Sequence, residues 1–239
     1  MSESVGRLKV GRLKSRTLED AESKGWKMRR RRFRLLSIFL LLGVLSTQGT
    51  EADGNVHVLW TYVSDGKLYT SPVVADIDGD GFPEILMAES DAGRMTCLDR
   101  GGAVVWQYTV GPIHASPCVV DLDRDGTLET VFGDTTGLVT CVCSEGDLIW
   151  ERQSDSALDW TALTAGDMNG DGVPEIVFQG ANGIVKCLDA WGRPSWEFPA
   201  GTDGSTSPAS IPVHGSKRVD VVVASPDGVI HRLDWRGKS

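Results

Sequence analysis

Histidine is scarce in this sequence: four residues, at 57, 114, 214 and 231, none spaced as a zinc-ligating pair. Also missing are G-x-S-x-G, G-x-x-x-x-G-K-[ST] and H-E-x-x-H, so the usual signatures of serine hydrolases, P-loop enzymes and zincins are absent. Cysteine is present five times, an odd number with no C-x-x-C, which fits neither a disulfide framework nor a zinc ribbon. Cys97, Cys141 and Cys187 recur at one place in a repeat, and Cys141 and Cys143, two apart, read as facing one side of a strand, so buried thiols are expected. Basic charge is depleted beyond residue 34. Residues 1–34 hold 12 of the 24 Lys+Arg against four acids, a balance of +8, and the remainder carries -17. Such an acidic body lacks the clustered Lys and Arg that phosphate contacts need, so no nucleic-acid partner is expected.

Long apolar runs are missing too, with one exception at residues 35–45. That run is too short for a comfortable membrane span and has the length of a signal-peptide core, preceded by Arg29, Arg30, Arg31, Arg32 and Arg34. The reading is therefore a basic region at 1–34, with Met28 as an alternative start, an apolar region and cleavage site at 35–49, and a repeat domain at 50–239. A secreted, periplasmic or cell-surface protein follows. If the leader stays uncut it gives the only expected membrane contact.

What is abundant is glycine, 28 residues, set among short valine-rich runs that read as strands between tight turns. One stretch recurs: DIDGDGFPE at 76–84, DLDRDGTLE at 121–129 and DMNGDGVPE at 167–175. Oxygen-bearing side chains at positions one, three, five and nine, around a turn-forming Gly, can wrap a hard cation such as Ca²⁺. The candidate ligands are Asp76, Asp78, Asp80 and Glu84, then Asp121, Asp123, Asp125 and Glu129, then Asp167, Asn169, Asp171 and Glu175. An Asp/Gly turn needs no metal, but three copies at one spacing favour three Ca²⁺ sites. Position twelve is Met87, Phe132 or Phe178, so these are not EF-hands.

The first aspartates of the loops lie 45 and 46 residues apart, and Trp60, Trp106, Trp150 and Trp196 keep the same beat. Each unit reads as four short strands, a period that fits a propeller blade. The fold expected is all-β: a propeller of four-stranded blades, about four of them. A strand at 56–62 is expected to complete the last unit, which stops at three strands, and so to close the ring without an open edge. The alternatives are part of a larger propeller and a partial ring completed by a second chain. In the fourth unit, Pro212, His214, Ser216 and Asp220 align with Asp76, Asp78, Asp80 and Glu84, so no cation is expected there.

Over nearly all of positions 55–239 these residues resemble FG-GAP or VCBS-type repeats, the calcium-binding blades also found in integrin α-subunits; the D-x-D-x-D-G-x-x-E spacing and Phe132-Gly133 carry the likeness. The second half of each unit, as in VKCLDAWGRPSW at 185–196, resembles the quinoprotein-like (PQQ-like) repeat. The first resemblance implies that each loop joins the innermost strand to the next, and that the backbone carbonyls of Phe82, Thr127 and Val173 are further ligands. A ligand-binding group is expected at Tyr69, His114, Trp160 and Ser205, which open the innermost strands and would gather at the channel mouth opposite the loops. Packing between blades is the plainer role for Tyr69 and Trp160. The function expected is a non-catalytic recognition or adhesion module with a protein or glycan ligand. The alternatives are a quinone-dependent dehydrogenase and a carbohydrate-binding or polysaccharide-processing accessory.

Overall fold

In three of the blades the outermost strand carries one tryptophan that reaches the next blade, and this contact links the blades in order. The computed structural model describes residues 57–202 and 206–239; the leader and Ser205 lie outside them. Blade 1 is built from β1 (Val73–Ala75), β2 (Glu84–Glu89), β3 (Arg94–Leu98) and β4 (Val104–Thr109). Blade 2 comprises β5 (Cys118–Val120), β6 (Glu129–Gly133), β7 (Leu138–Val142) and β8 (Leu148–Gln153). Blade 3 comprises β9 (Thr164–Gly166), β10 (Glu175–Gln179), β11 (Ile184–Leu188) and β12 (Pro194–Pro199). Blade 4 has three strands, β13 (Ala209–Pro212), β14 (Val219–Ala224) and β15 (Ile230–Leu233). Every sheet is an antiparallel meander in chain order.

Burial explains the composition of each strand. β6 and β10 lie between neighbouring blades, are buried along their whole length and are apolar on both faces. The outermost strands β4, β8 and β12 are largely exposed apart from their tryptophans. The core falls into three clusters, one per junction. Leu86, Met95 and Trp106 meet Phe132 and Val142 between blades 1 and 2. Val131, Val139 and Cys141 meet Ile176 and Phe178 between blades 2 and 3. Val177 and Val185 meet Val221, Val223 and Leu233 between blades 3 and 4.

The tryptophan link repeats. The indole N–H groups of Trp60, Trp106 and Trp150 donate to the carbonyls of Arg100, Ser144 and Ala190 at 3.0, 2.9 and 3.0 Å. Each of these rings lies on a glycine of the following turn, Gly102, Gly146 and Gly192, and Trp196 lies likewise on Gly237. Asp99, Asp189 and Asp234 start the equivalent turns and accept backbone N–H groups two and four residues on.

Two expectations are revised. Residues 57–62 form no strand, and the last sheet keeps the order β13-β14-β15, so the expected pairing is not made among the described residues. Trp60 still docks on blade 1, as the tryptophan of a preceding blade would, but Val58 and Leu59 stay exposed. Cys143 is not on a strand facing the same side as Cys141: a bulge between Cys141 and Val142 ends β7, and Cys143 opens the turn. In blade 4, Ile211 pairs with Asp220 as Ala75 pairs with Glu84, so the aligned register holds. Asp220 therefore takes Glu84's place, but its carboxylate pairs with Arg232 at 2.7 Å.

Candidate functional site

Each of the three acidic loops joins the innermost strand of its blade to the next strand, so its first residue follows β1, β5 or β9 and its ninth opens β2, β6 or β10. The ninth residue is buried: Glu84, Glu129 and Glu175 are 8, 3 and 8% exposed. Each accepts a backbone N–H from the second loop residue, Ile77 at 3.0 Å, Leu122 at 2.7 Å and Met168 at 2.8 Å. One carboxylate oxygen is thereby fixed, and the other is left for the loop's interior. Turns with left-handed glycines, such as Gly81, Gly126 and Gly172, bring the remaining acids round.

The loops fit a cation on the chemistry of these donors. Oxygens of Asp76, Asp78 and Glu84 lie within 4.8 Å of one another, and so do those of Asp121, Asp123 and Glu129. Burial pushes the Glu84 and Glu129 carboxyls above their ordinary range; the backbone N–H pulls the other way, and the neighbouring aspartates add to the rise. A divalent ion would relieve that crowding. In the third loop, Asn169 replaces an aspartate, and its amide donates to Glu175 Oε1 at 2.5 Å and Asp171 Oδ2 at 3.0 Å. Burial raises the Glu175 carboxyl as well, again against a backbone N–H and with Asp171 and Asp167 adding to it.

The position-five acids turn elsewhere. Asp80, Asp125 and Asp171 each accept the N–H of position seven, from Phe82 at 2.9 Å, Thr127 at 2.8 Å and Val173 at 2.8 Å. Sequence reasoning missed Arg124, which holds a left-handed backbone where the sister loops have Gly79 and Gly170. Its side chain donates to the carbonyls of Gly172 at 2.8 Å and Asp171 at 3.1 Å, tying the second loop to the third. The signal was an arginine at a glycine position.

At the other end of the innermost strands, Tyr69, His114 and Trp160 come from three successive blades and touch one another. Ring centroids are 5.5 Å apart for Tyr69–His114, 5.6 Å for Tyr69–Trp160 and 5.0 Å for His114–Trp160. Tyr69 and Trp160 remain 42 and 53% exposed, so the cluster presents aromatic surface to solvent rather than filling a core. Trp160 has φ of 53°, a rare conformation for a bulky residue and a mark of local strain. Asp159, unforeseen from the sequence, holds His114 Nδ1 at 2.7 Å, and a parallel bridge between Ser116 and Ala162 fixes the two strand entries together. Ser205, the fourth member expected, lies outside the described residues.

Comparison with known proteins gives a fold. A family model described as the Lambda-carrageenase beta-propeller domain matches residues 48–120, less than a third of the chain. A search of curated proteins found no match. Among solved structures, the V. cholerae biofilm matrix protein Bap1 is similar at 22% identity and a TM-score of 0.54, over 70% of this chain and 27% of that one. BamB from Moraxella catarrhalis is similar at 20% identity and a TM-score of 0.50, over 72% of this chain and 49% of that one. Saccharomyces cerevisiae Sqt1 is similar at 11% identity and a TM-score of 0.62, over 80% of this chain and 52% of that one. The chain thus spans between about a quarter and about half the length of these three. Sheet order, inter-blade cores and these likenesses agree: the chain is an all-β propeller of about four blades.

Proposed function

We propose that this chain is a non-catalytic recognition or adhesion module working outside the cytoplasm, with Ca²⁺ in its FG-GAP-like loops and a glycan or protein ligand at the Tyr69–His114–Trp160 cluster. The observation that carries it is that cluster: three aromatic rings from three blades, mutually in contact, exposed and held by a strained backbone. Exposed aromatic faces suit the apolar faces of sugar rings, and a tryptophan of this kind contributes strongly to binding. A glycan is further favoured because the matching family model is named for a carrageenase, and its residues 48–120 include Tyr69 and His114. The apolar segment at 35–45 and the name of Bap1, a biofilm matrix protein, support an extracellular setting.

The tryptophan repeat, which raised the quinoprotein alternative, is accounted for by inter-blade packing on glycine and needs no cofactor. The loops face away from the aromatic cluster, so Ca²⁺ would serve the scaffold: it would pin each innermost strand to its neighbour. The test is a glycan array, followed by calorimetric titration of the full chain and of Trp160→Ala. Binding should weaken at least about tenfold in the variant. Equal binding by Trp160→Ala, or no retained glycan or extracellular protein, refutes the assignment.

A further inference from the structure

A repeat protein carries its own controls, because each blade shows what the fold requires and departures stand out. Between every acidic loop and the turn of the next blade lies a cleft. The first, about 170 Å³, is lined by Asp78 and Glu84 on one side and by Val105 and Ser144 on the other. The second, about 140 Å³, sets Asp123 and Glu129 against Ile149 and Trp191. The third, between blades 3 and 4, measures about 350 Å³ and is lined by Asn169, Glu175, Ser195, Trp196, Trp235 and Arg236.

The sequence explains the difference. The residue just before the docking tryptophan is Val105 in blade 1 and Ile149 in blade 2, but Ser195 in blade 3. A branched apolar wall is thereby replaced by a small hydroxyl, and the space opens. The next turn offers Ser144 or Ala190 in the first two clefts and Trp235 in the third. Arg236 follows it, with its guanidinium 4.5 Å from the Trp235 ring centre and, among the described residues, in no ion pair. The loop itself carries an amide, Asn169, where the others carry Asp78 and Asp123, so this cleft holds one negative charge fewer. Four departures from the repeat therefore meet in one cavity. Together they supply an aromatic wall, a hydroxyl, a lower negative charge and a guanidinium in no ion pair among the described residues, a combination that suits a small polar ligand.

We propose that the cleft between blades 3 and 4 binds one acidic sugar unit, with Arg236 taking its acid group. The sugar ring would lie against the Trp235 wall, and Ser195 would meet its hydroxyls. Guanidinium recognises carboxylate and sulfate oxygens alike through paired N–H donors, so uronates and sulfate esters share this chemistry. The inference rests on the glycan form of the function proposed above but uses other residues at the other end of the blades.

The test titrates the full chain, in Ca²⁺-containing buffer, with an oligogalacturonate, a sulfated galactan oligosaccharide and the same galactan without sulfate. At least one acidic probe should bind more tightly than the neutral one. Arg236→Gln should weaken that probe about tenfold while leaving the neutral one unchanged. Ser195→Val restores the sister-blade type of residue, so it should fold normally and weaken all probes at this cleft. Which acidic probe responds separates uronate from sulfate recognition. Acidic probes that bind no better than neutral, or that are indifferent to both Arg236→Gln and Ser195→Val, overturn the proposal. Sensitivity to Trp160→Ala reports separately on the aromatic cluster, so either site can fail alone.

Discussion

Gly146→Ala tests the tryptophan link between blades most directly. Gly146 has φ of 84°, and a Cβ built there would stand 2.6 Å from Cγ of Trp106. Alanine in that left-handed conformation costs about 1–2 kcal/mol in any context. Here the indole must also move, although it is only 7% exposed and donates to the Ser144 carbonyl at 2.9 Å. Losing that hydrogen bond costs about 1 kcal/mol, and exposing part of the ring costs about 1 kcal/mol more. Gly228 is the control: its φ is 87°, but a Cβ there meets nothing within 4 Å, so Gly228→Ala should show the backbone strain alone. The difference between the variants, about 2 kcal/mol, corresponds to roughly 4–8 °C in melting temperature for a domain of this size. Urea denaturation followed by circular dichroism, with calorimetric melting alongside, measures both. Equal midpoints for the two variants would show that Trp106 does not hold the blades together.

Ca²⁺ at about a hundred times its Kd should add about 2.7 kcal/mol for each loop filled, raising the melting temperature; a midpoint indifferent to chelator, with no metal by elemental analysis, rules out the loop assignment. Glu89 is buried, which works against its charged form, but hydrogen bonds from Thr96, Arg94 and Tyr62 outweigh this and hold its carboxyl below the ordinary 4.5. Its folded value is depressed, so it stabilises the protein above about pH 4.5 and loses that contribution as pH falls through the folded value. Acid melting of Glu89→Gln should accordingly show a shallower loss of stability below pH 4.5 than the parent, and parallel curves would contradict the sign. Burial, with nearby carboxylates adding to it, pushes the Cys97 thiol up to about 12, and the Cys141 and Cys187 thiols are raised for the same reasons. Those three should resist a thiol reagent in the native protein and react only on unfolding; rapid labelling of any of them, read by peptide mass, would place it at the surface.

The fold was legible because it is written several times over. The loop spacing and the beat of Trp60, Trp106, Trp150 and Trp196 recur on a blade's period, and period survives any uncertainty about single residues. The ninth residue of each loop was legible as a loop carboxylate, but its burial at the start of the next strand was not. Register was legible as well: counting set Asp220 in the place of Glu84, and Ile211 pairs with Asp220 as Ala75 pairs with Glu84. The side-chain partner was not, since Arg232, which takes the Asp220 carboxylate, comes from the next strand.

Sequence by itself determined the all-β class, the four-unit organisation and the residues of the three acidic loops, because all of these depend on local chemistry repeated along the chain. Tertiary structure alone decided that the segment carrying Trp60 docks its ring on blade 1 without adding a strand to the last sheet among the described residues, since strand pairing depends on backbone position and not on the ring's seat. It alone showed Arg124 crossing from one loop to the next and Asp159 holding His114, whereas the gathering of Tyr69, His114 and Trp160 was expected from the repeat and is met in their ring contacts. The period brings residues some 45 positions apart near one another, but which side chains then bond is set by the packing of whole blades.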